Sequence, residues 1–243
     1  MALTSSSTLQ NETSTKLLSA LSSESVALSM GSVQKLARSA TSVKVPTLSS
    51  APTAGVELEG VTIGTADPTM LDSGGTLVSI KSRVVCSAEY EQDVASINWQ
   101  SLSASSIARR VDALVMAACH TAATSAGGSL SAATFAAGAA SLNARDLQSA
   151  ILVASPTQAA AVYPLLDNGK VYGAHALAWS DDLPAGCSAL LLPAWAMLVC
   201  LPPDAMSHSR DDQHGAEDDL VGHTTRLRCW AGAVLGVPMA TFA

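Results

Sequence analysis

One helical period runs unbroken from residue 102 to 123, in a chain otherwise divided into short strand-like pieces. Ile107, Val111, Leu114, Val115 and Ala118 fall at i, i+4, i+7, i+8 and i+11, which places them on one face of a helix. Arg109, Arg110 and Asp112 fall on the side expected to face solvent, and Gly127-Gly128 closes the segment. An amphipathic helix of this length must bury its stripe against a second layer. The rest of the chain has to supply that layer from strands.

Strand patterns are plentiful. In 76–88, Val78, Ile80, Ser82, Val84 and Cys86 share one face, with Ser79, Lys81 and Arg83 on the other. Before it, 53–64 reads as a strand carrying Val56, Leu58, Val61 and Ile63, with a bulge at Gly60. Between them, Ala66-Asp67-Pro68 and Asp72-Ser73-Gly74-Gly75 are dense with turn residues, so the expectation is a long hairpin with a polar tip. Such a hairpin is poorly stable alone and needs another surface to lie on.

Beyond the long helix, an Ala-rich helix is expected over 132–142. Ile151-Leu152-Val153-Ala154 is wholly apolar, as in the centre of a sheet. Ser155-Pro156 supplies an N-cap and a first-turn proline for a helix carrying Ala160, Val162 and Leu166, which stops near Asp167-Asn168-Gly169. Strands are expected over 174–180, 187–192, 196–201 and 224–236; the last alternates Leu227, Cys229 and Ala231 with Arg226, Arg228 and Trp230. The uncharged stretch 185–201 resembles a membrane span but falls short of the ~20 residues required. Pro193 interrupts it, so it reads as two buried strands. Residues 1–50 are rich in Ser and Thr, with only short amphipathic pieces at Leu17, Leu18, Leu21, Val26 and Leu28. They read as an arm with short helices, ending in extended backbone at Val45-Pro46 and Ala51-Pro52.

Catalytic chemistry is not visible. The five cysteines are widely spaced, with no CxxC pair, and read as buried reduced thiols rather than a disulfide framework or zinc site. Cys119 and His120 are adjacent, so on a helix they point some 100° apart and do not form a nucleophile–base pair. No phosphate-binding loop, dinucleotide fingerprint or nucleophile elbow occurs. Segment 204–223 gathers Asp204, Asp211, Asp212, Glu217, Asp218 and Asp219 against Arg210, with His208, His214 and His223. Its spacing fits no zinc or calcium template, and it reads as a solvated loop. The expectation is no catalytic residue, no cofactor and no metal. A net charge of −7 excludes nucleic-acid binding by bulk charge. Charged residues make up 14% against a usual value of about 25%, so neutral small residues must cover much of the surface. A surface of that kind suits contact with other subunits.

The order of elements resembles the major capsid proteins of tailed bacteriophages, the fold named after the Hong Kong ninety-seven phage. Val56-Glu57-Leu58-Glu59-Gly60 looks like the start of that family's extended loop. The run from Ser79 to Tyr90 looks like the returning strand, with a Ser and a short acidic stretch (Glu89, Glu91, Asp93) opening the next helix. Ile151 to Pro156 looks like the apolar strand and Ser-Pro helix start. Asp219, Arg226, Arg228 and Val237-Pro238-Met239-Ala240 look like the closing strand. The similarity covers roughly residues 15–243.

The resemblance implies an α+β capsid fold with an N-terminal arm (1–50), an extended hairpin loop and strand (51–88), and a peripheral domain with the long helix (89–150). A reduced axial domain (151–203) and an acidic loop with the closing strand (204–243) complete it. It implies a subunit that self-assembles through pentamers and hexamers into an icosahedral shell enclosing double-stranded DNA. That shell is the virion capsid, assembled in the host bacterial cytoplasm. Implied partners are copies of itself, a separate scaffolding protein, a portal, a decoration protein and weakly held DNA, with no membrane. Implied interface residues are Glu57, Glu59, Asp67, Asp72, Lys81 and Arg83. Residues 53–75 contain no Lys, so the covalent cross-link of some members is not expected. Deleting residues 1–40 is expected to weaken assembly more than folding. An encapsulin-like bacterial shell and a soluble α/β enzyme are the alternatives.

Overall fold

A computed structural model describes residues 19–48, 70–93, 99–211 and 220–243. Chain order runs through β1 (Ser32–Lys35), β2 (Ser42–Leu48), β3 (Met70–Thr76), β4 (Val78–Ser87), the long helix Trp99–Ala122 and β5 (Thr124–Ser125). The helix Ala132–Ser141, β6 (Ala150–Ala154), β7 (Leu166–Asp167), β8 (Lys170–Val171), β9 (Ala176–Trp179) and β10 (Ala189–Pro193) follow. The chain ends with β11 (Met197–Leu201), β12 (Met206–Asp211), β13 (Leu220–Ala233) and β14 (Ala240–Phe242). One sheet joins β1, β11, β13 and β12, with β4 also paired to β13. A second runs β5-β14-β10-β6-β9.

The long helix lies on the first sheet, against β13, β4 and β11. Ile107, Val111 and Val115 are buried as expected, while Leu114 and Ala118 are half-buried. The buried stripe is rotated toward Ala104, Ala108, Met116 and Cys119. Asp112 lies inside rather than in solvent, against expectation, because Ser25, Val26 and Ala27 lie over it and hydrogen-bond its carboxylate.

The second sheet explains why its central strands are apolar throughout. Ile151, Val153, Leu190 and Leu192 face the core under the long helix. Leu152, Ala154, Ala189 and Leu191 face a smaller core with Phe135, Val162 and Phe242. Both faces are covered, so period-two alternation disappears. The stretch 185–201 is two strands joined by a 3-10 turn at Ala194–Ala196, one strand in each sheet. Among the described residues no helix is long and apolar enough to cross a membrane.

Residues 19–48 do not stand clear of the body, as an arm would. Leu21 and Ala27 are fully buried, and β1 pairs in parallel with β11. The short helix Val26–Met30 is capped from two sources. Leu28 N–H donates to Ser25 Oγ (3.2 Å), while Val26 and Ala27 N–H donate to the Asp112 carboxylate, each at 2.9 Å. Ser25 Oγ also donates to Asp112 Oδ1 (2.6 Å). The first three N–H groups, which have no partner within a helix, are all satisfied. Arg228 Nη2 donates to the Ala40 carbonyl (2.7 Å) and fixes the next turn.

The hairpin is displaced from its expected place. Its arms are β2 and β3, closed at Leu48↔Met70, and β4 pairs with β13 instead. The expected strand 53–64 lies outside the described residues. Asp72-Ser73-Gly74-Gly75, expected as a turn, is strand, and its small residues mark close approach of backbones. A Cβ at Gly74 would collide with the Val43 carbonyl, and one at Gly75 would sit 3.2 Å from Trp230 Nε1. The buried Ser73 Oγ accepts from Leu235 N–H (2.7 Å). Gly74→Ala should therefore loosen the ribbon and raise amide exchange in β2 and β3 on the order of tenfold. Unchanged exchange there would show that the Val43 backbone gives way without cost.

Segment 204–223 is also not a loop throughout. β12 pairs with β13 from Met206↔Leu227 to Asp211↔Gly222, and residues 212–219 lie outside the described set. Polar residues disguised an edge strand, where charge on the open side is usual. The helix expected after Ser155-Pro156 is capped by Ser155 but is a string of short turns ending at Leu165.

Candidate assembly surface

Five of the nine aromatics are placed outward. Tyr90, Tyr163, Tyr172, Trp179 and Trp195 are exposed, and Phe135 and Phe242 are buried. Leu102 and Met70 are more than half exposed. Tyr and Trp are the side chains most enriched where proteins meet, because they combine apolar area with a polar tip. Tyr163 and Trp179 lie beside each other, with ring centroids 6.3 Å apart.

The charged residues sort into locked and open groups. Glu91, on the helix Ala88–Asp93, accepts from Arg210 Nε (3.0 Å) and Nη2 (2.7 Å) on β12. His223 Nε2 on β13 lies 3.0 Å from the same carboxylate. Hydrogen bonding from the Arg210 guanidinium holds Glu91 below the usual carboxylate range, against a smaller opposing effect of burial. His208 stacks on His223 at 5.7 Å, and its pKa is pushed down by burial and by its neighbour. This cluster ties the helix to two strands. The Ser that opens the helix behaves as expected: Ser87 Oγ accepts from Tyr90 N–H (3.1 Å).

The interface residues inferred from sequence divide three ways. Glu57, Glu59 and Asp67 lie outside the described residues. Asp72 pairs with Lys44 across the ribbon (2.9 Å), both exposed, and Arg83 lies over Gly222 and reaches Asp211 at 4.0 Å. Lys81 faces a groove between β4 and the long helix, together with Arg109 and Arg110. Arg109 Nε is 3.6 Å from Asp182, while Lys81 and Arg110 make no ion pair among the described residues. The groove joins β4 to a helix 21 residues later in the chain, so spacing alone could not reveal it; the unbroken pair Arg109-Arg110 was its only signal.

The adjacent Cys119 and His120 do not form a nucleophile–base pair. Burial pushes the Cys119 thiol up to about 12, and His120 Nδ1 lies 3.0 Å from Thr241 Oγ1 instead. Cys229 is likewise raised to about 12 by burial, with Cys200 nearby. No three His, Cys, Asp or Glu side chains among the described residues are grouped to hold a metal ion.

No family model matches this chain, and no curated protein does. Solved structures do. The capsid of an empty GTA particle superposes with a TM-score of 0.68 at 15% identity, covering 87% of this chain and 88% of that one. A chain from Mycobacterium phage Adephagia gives 0.65 at 14% identity, covering 90% and 89%. The capsid of cyanophage P-SCSP1u gives 0.58 at 12%, covering 88% and 86%.

The chain has the Hong Kong ninety-seven capsid fold.

Shared over nearly nine-tenths of each chain, the likeness extends to the whole subunit rather than one motif. In this capsid fold the long helix and the first sheet form one layered unit, and the second sheet forms another. The second unit is not contiguous in sequence: β5 and β14 bracket β6, β9 and β10.

Proposed function

We propose that this chain is the major capsid protein of a tailed bacteriophage. It self-assembles through pentamers and hexamers into an icosahedral shell around double-stranded DNA. The observation that carries this reading is the match to a capsid subunit over 87% of this chain and 88% of that one at a TM-score of 0.68. The outward aromatics and low charge agree with it, since a shell subunit must lose much of its surface to neighbours. Standard interfaces bury about 1,600 Å² each, repeated by symmetry.

In this reading the first sheet and long helix are the peripheral domain and the second sheet is the axial domain, in place of the contiguous spans 89–150 and 151–203 expected from the sequence. The loop between β2 and β3 and the terminal residues lie across adjacent subunits. Glu57, Glu59, Asp67, Asp72, Lys81 and Arg83 contribute to those contacts. The role is structural and non-enzymatic, in the virion, after assembly in the host cytoplasm. A scaffolding protein, a portal, a decoration protein and packaged DNA are the other partners. Purified protein is expected to form megadalton particles, or capsomers that convert to them, by sedimentation and negative-stain imaging. Only monomers and dimers, with or without a co-expressed scaffold, would rule the reading out.

A further inference from the structure

We infer that the face of the first sheet turned away from the long helix is a phosphate-binding face for double-stranded DNA, built on Lys81, Arg83, Arg226 and Arg228. The inference rests on the capsid reading for the choice of polyanion, and on the strand register for the face.

Ile80 pairs with Leu227 on the side of the long helix, where both join the core. The alternate residues of β4 and β13 point the other way. There Lys81 stands beside Arg226, Arg83 beside Thr224, and Ser79 beside Arg228. Across β13, Ser207 stands beside Arg226 and Ser209 beside Thr224. Trp230 continues the row but is covered by the ribbon at Gly75, so the cationic stretch ends there. Asp211, beside Gly222, is the one acid that the register adds. Four of the chain's thirteen Lys and Arg therefore meet one of its twenty Asp and Glu, which reverses the overall balance. Charge elsewhere is screened within about 10 Å at 0.1 M salt, so the net −7 does not cancel a local row.

Acids do not consume these cations. Arg226 Nε and Nη2 donate to Ser79 Oγ (3.1 and 2.8 Å), and Arg228 Nη2 donates to the Ala40 carbonyl (2.7 Å). Both acceptors are neutral, so each guanidinium keeps its full charge. Arg83 reaches Asp211 only at 4.0 Å. Lys81 makes no ion pair among the described residues and stands where β4 forms the sheet edge, so it also lines the groove beside the long helix. Protein partners are anchored by aromatic and aliphatic side chains. This row offers Arg, Lys, Ser and Thr, with Val85 its one exposed large apolar side chain. Those are the side chains that hold the phosphate oxygens of a DNA backbone without reading sequence.

The test is binding of the purified chain to a labelled duplex of about 30 base pairs over a series of salt concentrations. With four phosphate contacts, log affinity should fall against log salt with a slope of about −3.6. Lys81→Gln with Arg226→Gln should bring the slope to about −1.8. Both side chains are exposed, so the thermal melt should not move. Arg145→Gln with Lys170→Gln, an equal loss of charge at exposed residues outside the face, should leave the wild-type slope. An unchanged slope in the first variant overturns the inference, as does failure of the wild-type chain to bind. An equal loss in the second variant makes the binding diffuse and also overturns it. Fewer particles from the first variant, with DNA binding unchanged, assigns the face to a protein neighbour and overturns it too. A wild-type chain that shows the expected slopes but builds no particles removes the capsid reading and leaves the face standing.

Discussion

Asp112→Ala is expected to lower the stability of the subunit by about 3 kcal/mol, a large part of what a domain of this kind has. The carboxylate takes three hydrogen bonds, from Ser25 Oγ and from the N–H groups of Val26 and Ala27, in a site only 3% exposed. Alanine leaves the buried Ser25 and Ala27 donors unpaired, at about 1–3 kcal/mol each before any rescue by water, and the part-buried Val26 N–H at less. It also removes the cap from the helix that leads into β1, a further 0.5–2 kcal/mol or so. Urea unfolding measures the sum. A loss below about 1 kcal/mol would show that water replaces the carboxylate at no cost.

The same residue sets a pH dependence whose sign can be worked out. Burial raises the Asp112 pKa above its ordinary value, outweighing the lowering by Ser25, Ala27 and Val26, and the nearby Asp182 charge adds to the rise. The folded chain therefore holds that proton to higher pH than the unfolded chain. Its contribution is fullest below the ordinary carboxylate pKa and is lost as pH rises through the folded value. Asp112→Asn removes the titration while keeping one acceptor. Wild type should thus lose ground relative to Asp112→Asn as pH rises from about 3.5 into the neutral range. A gap moving the other way would mean that the hydrogen bonds, not burial, dominate at this site.

Both faces of these predictions bear on what could be read in advance. The long helix, the apolar strands β6, β10 and β11 and the alternation of β4 and β13 were legible, because each follows from which faces are covered. Asp112 was not. Its place on the helix is one step round from the expected stripe, and what covers it is Ser25, Val26 and Ala27, 85 to 87 residues earlier in the chain. β3 was hidden for a related reason. Ser73, Gly74 and Gly75 look like a turn, yet they are small because Trp230, Leu235 and the Val43 backbone lie against them. β12 was hidden by its charges, and the groove by distance along the chain. In each case the missing information was the identity of a neighbour from a remote part of the sequence, which a local pattern does not carry.

The same point changes what removal of the N-terminal residues should do. Without residues 1–40 the subunit is expected to fail to fold, rather than fold and fail to assemble. The deletion takes away Leu21, Ala27 and Leu28 from the core, each leucine contributing about 1.5–3 kcal/mol by burial. It removes β1, which pairs with β11 from Ser32↔Leu198 to Lys35↔Leu201. β11 is buried at every position, so its loss of a partner exposes an apolar strand with an open edge, a template for aggregation. It also strips Asp112 of all three of its donors. The summed effect exceeds about 5 kcal/mol, comparable to the whole stability of many domains. The truncated chain should accumulate as insoluble protein, and refolded material should show no cooperative melt. The assembly role proposed for the terminus is therefore tested by removing residues 1–18, a deletion that takes away none of the described contacts. That shorter variant should melt cooperatively while giving fewer particles. A soluble, cooperatively melting chain that lacks 1–40 would mean that β11 and the long helix hold together without the segment that covers them, and that the terminus is an arm after all.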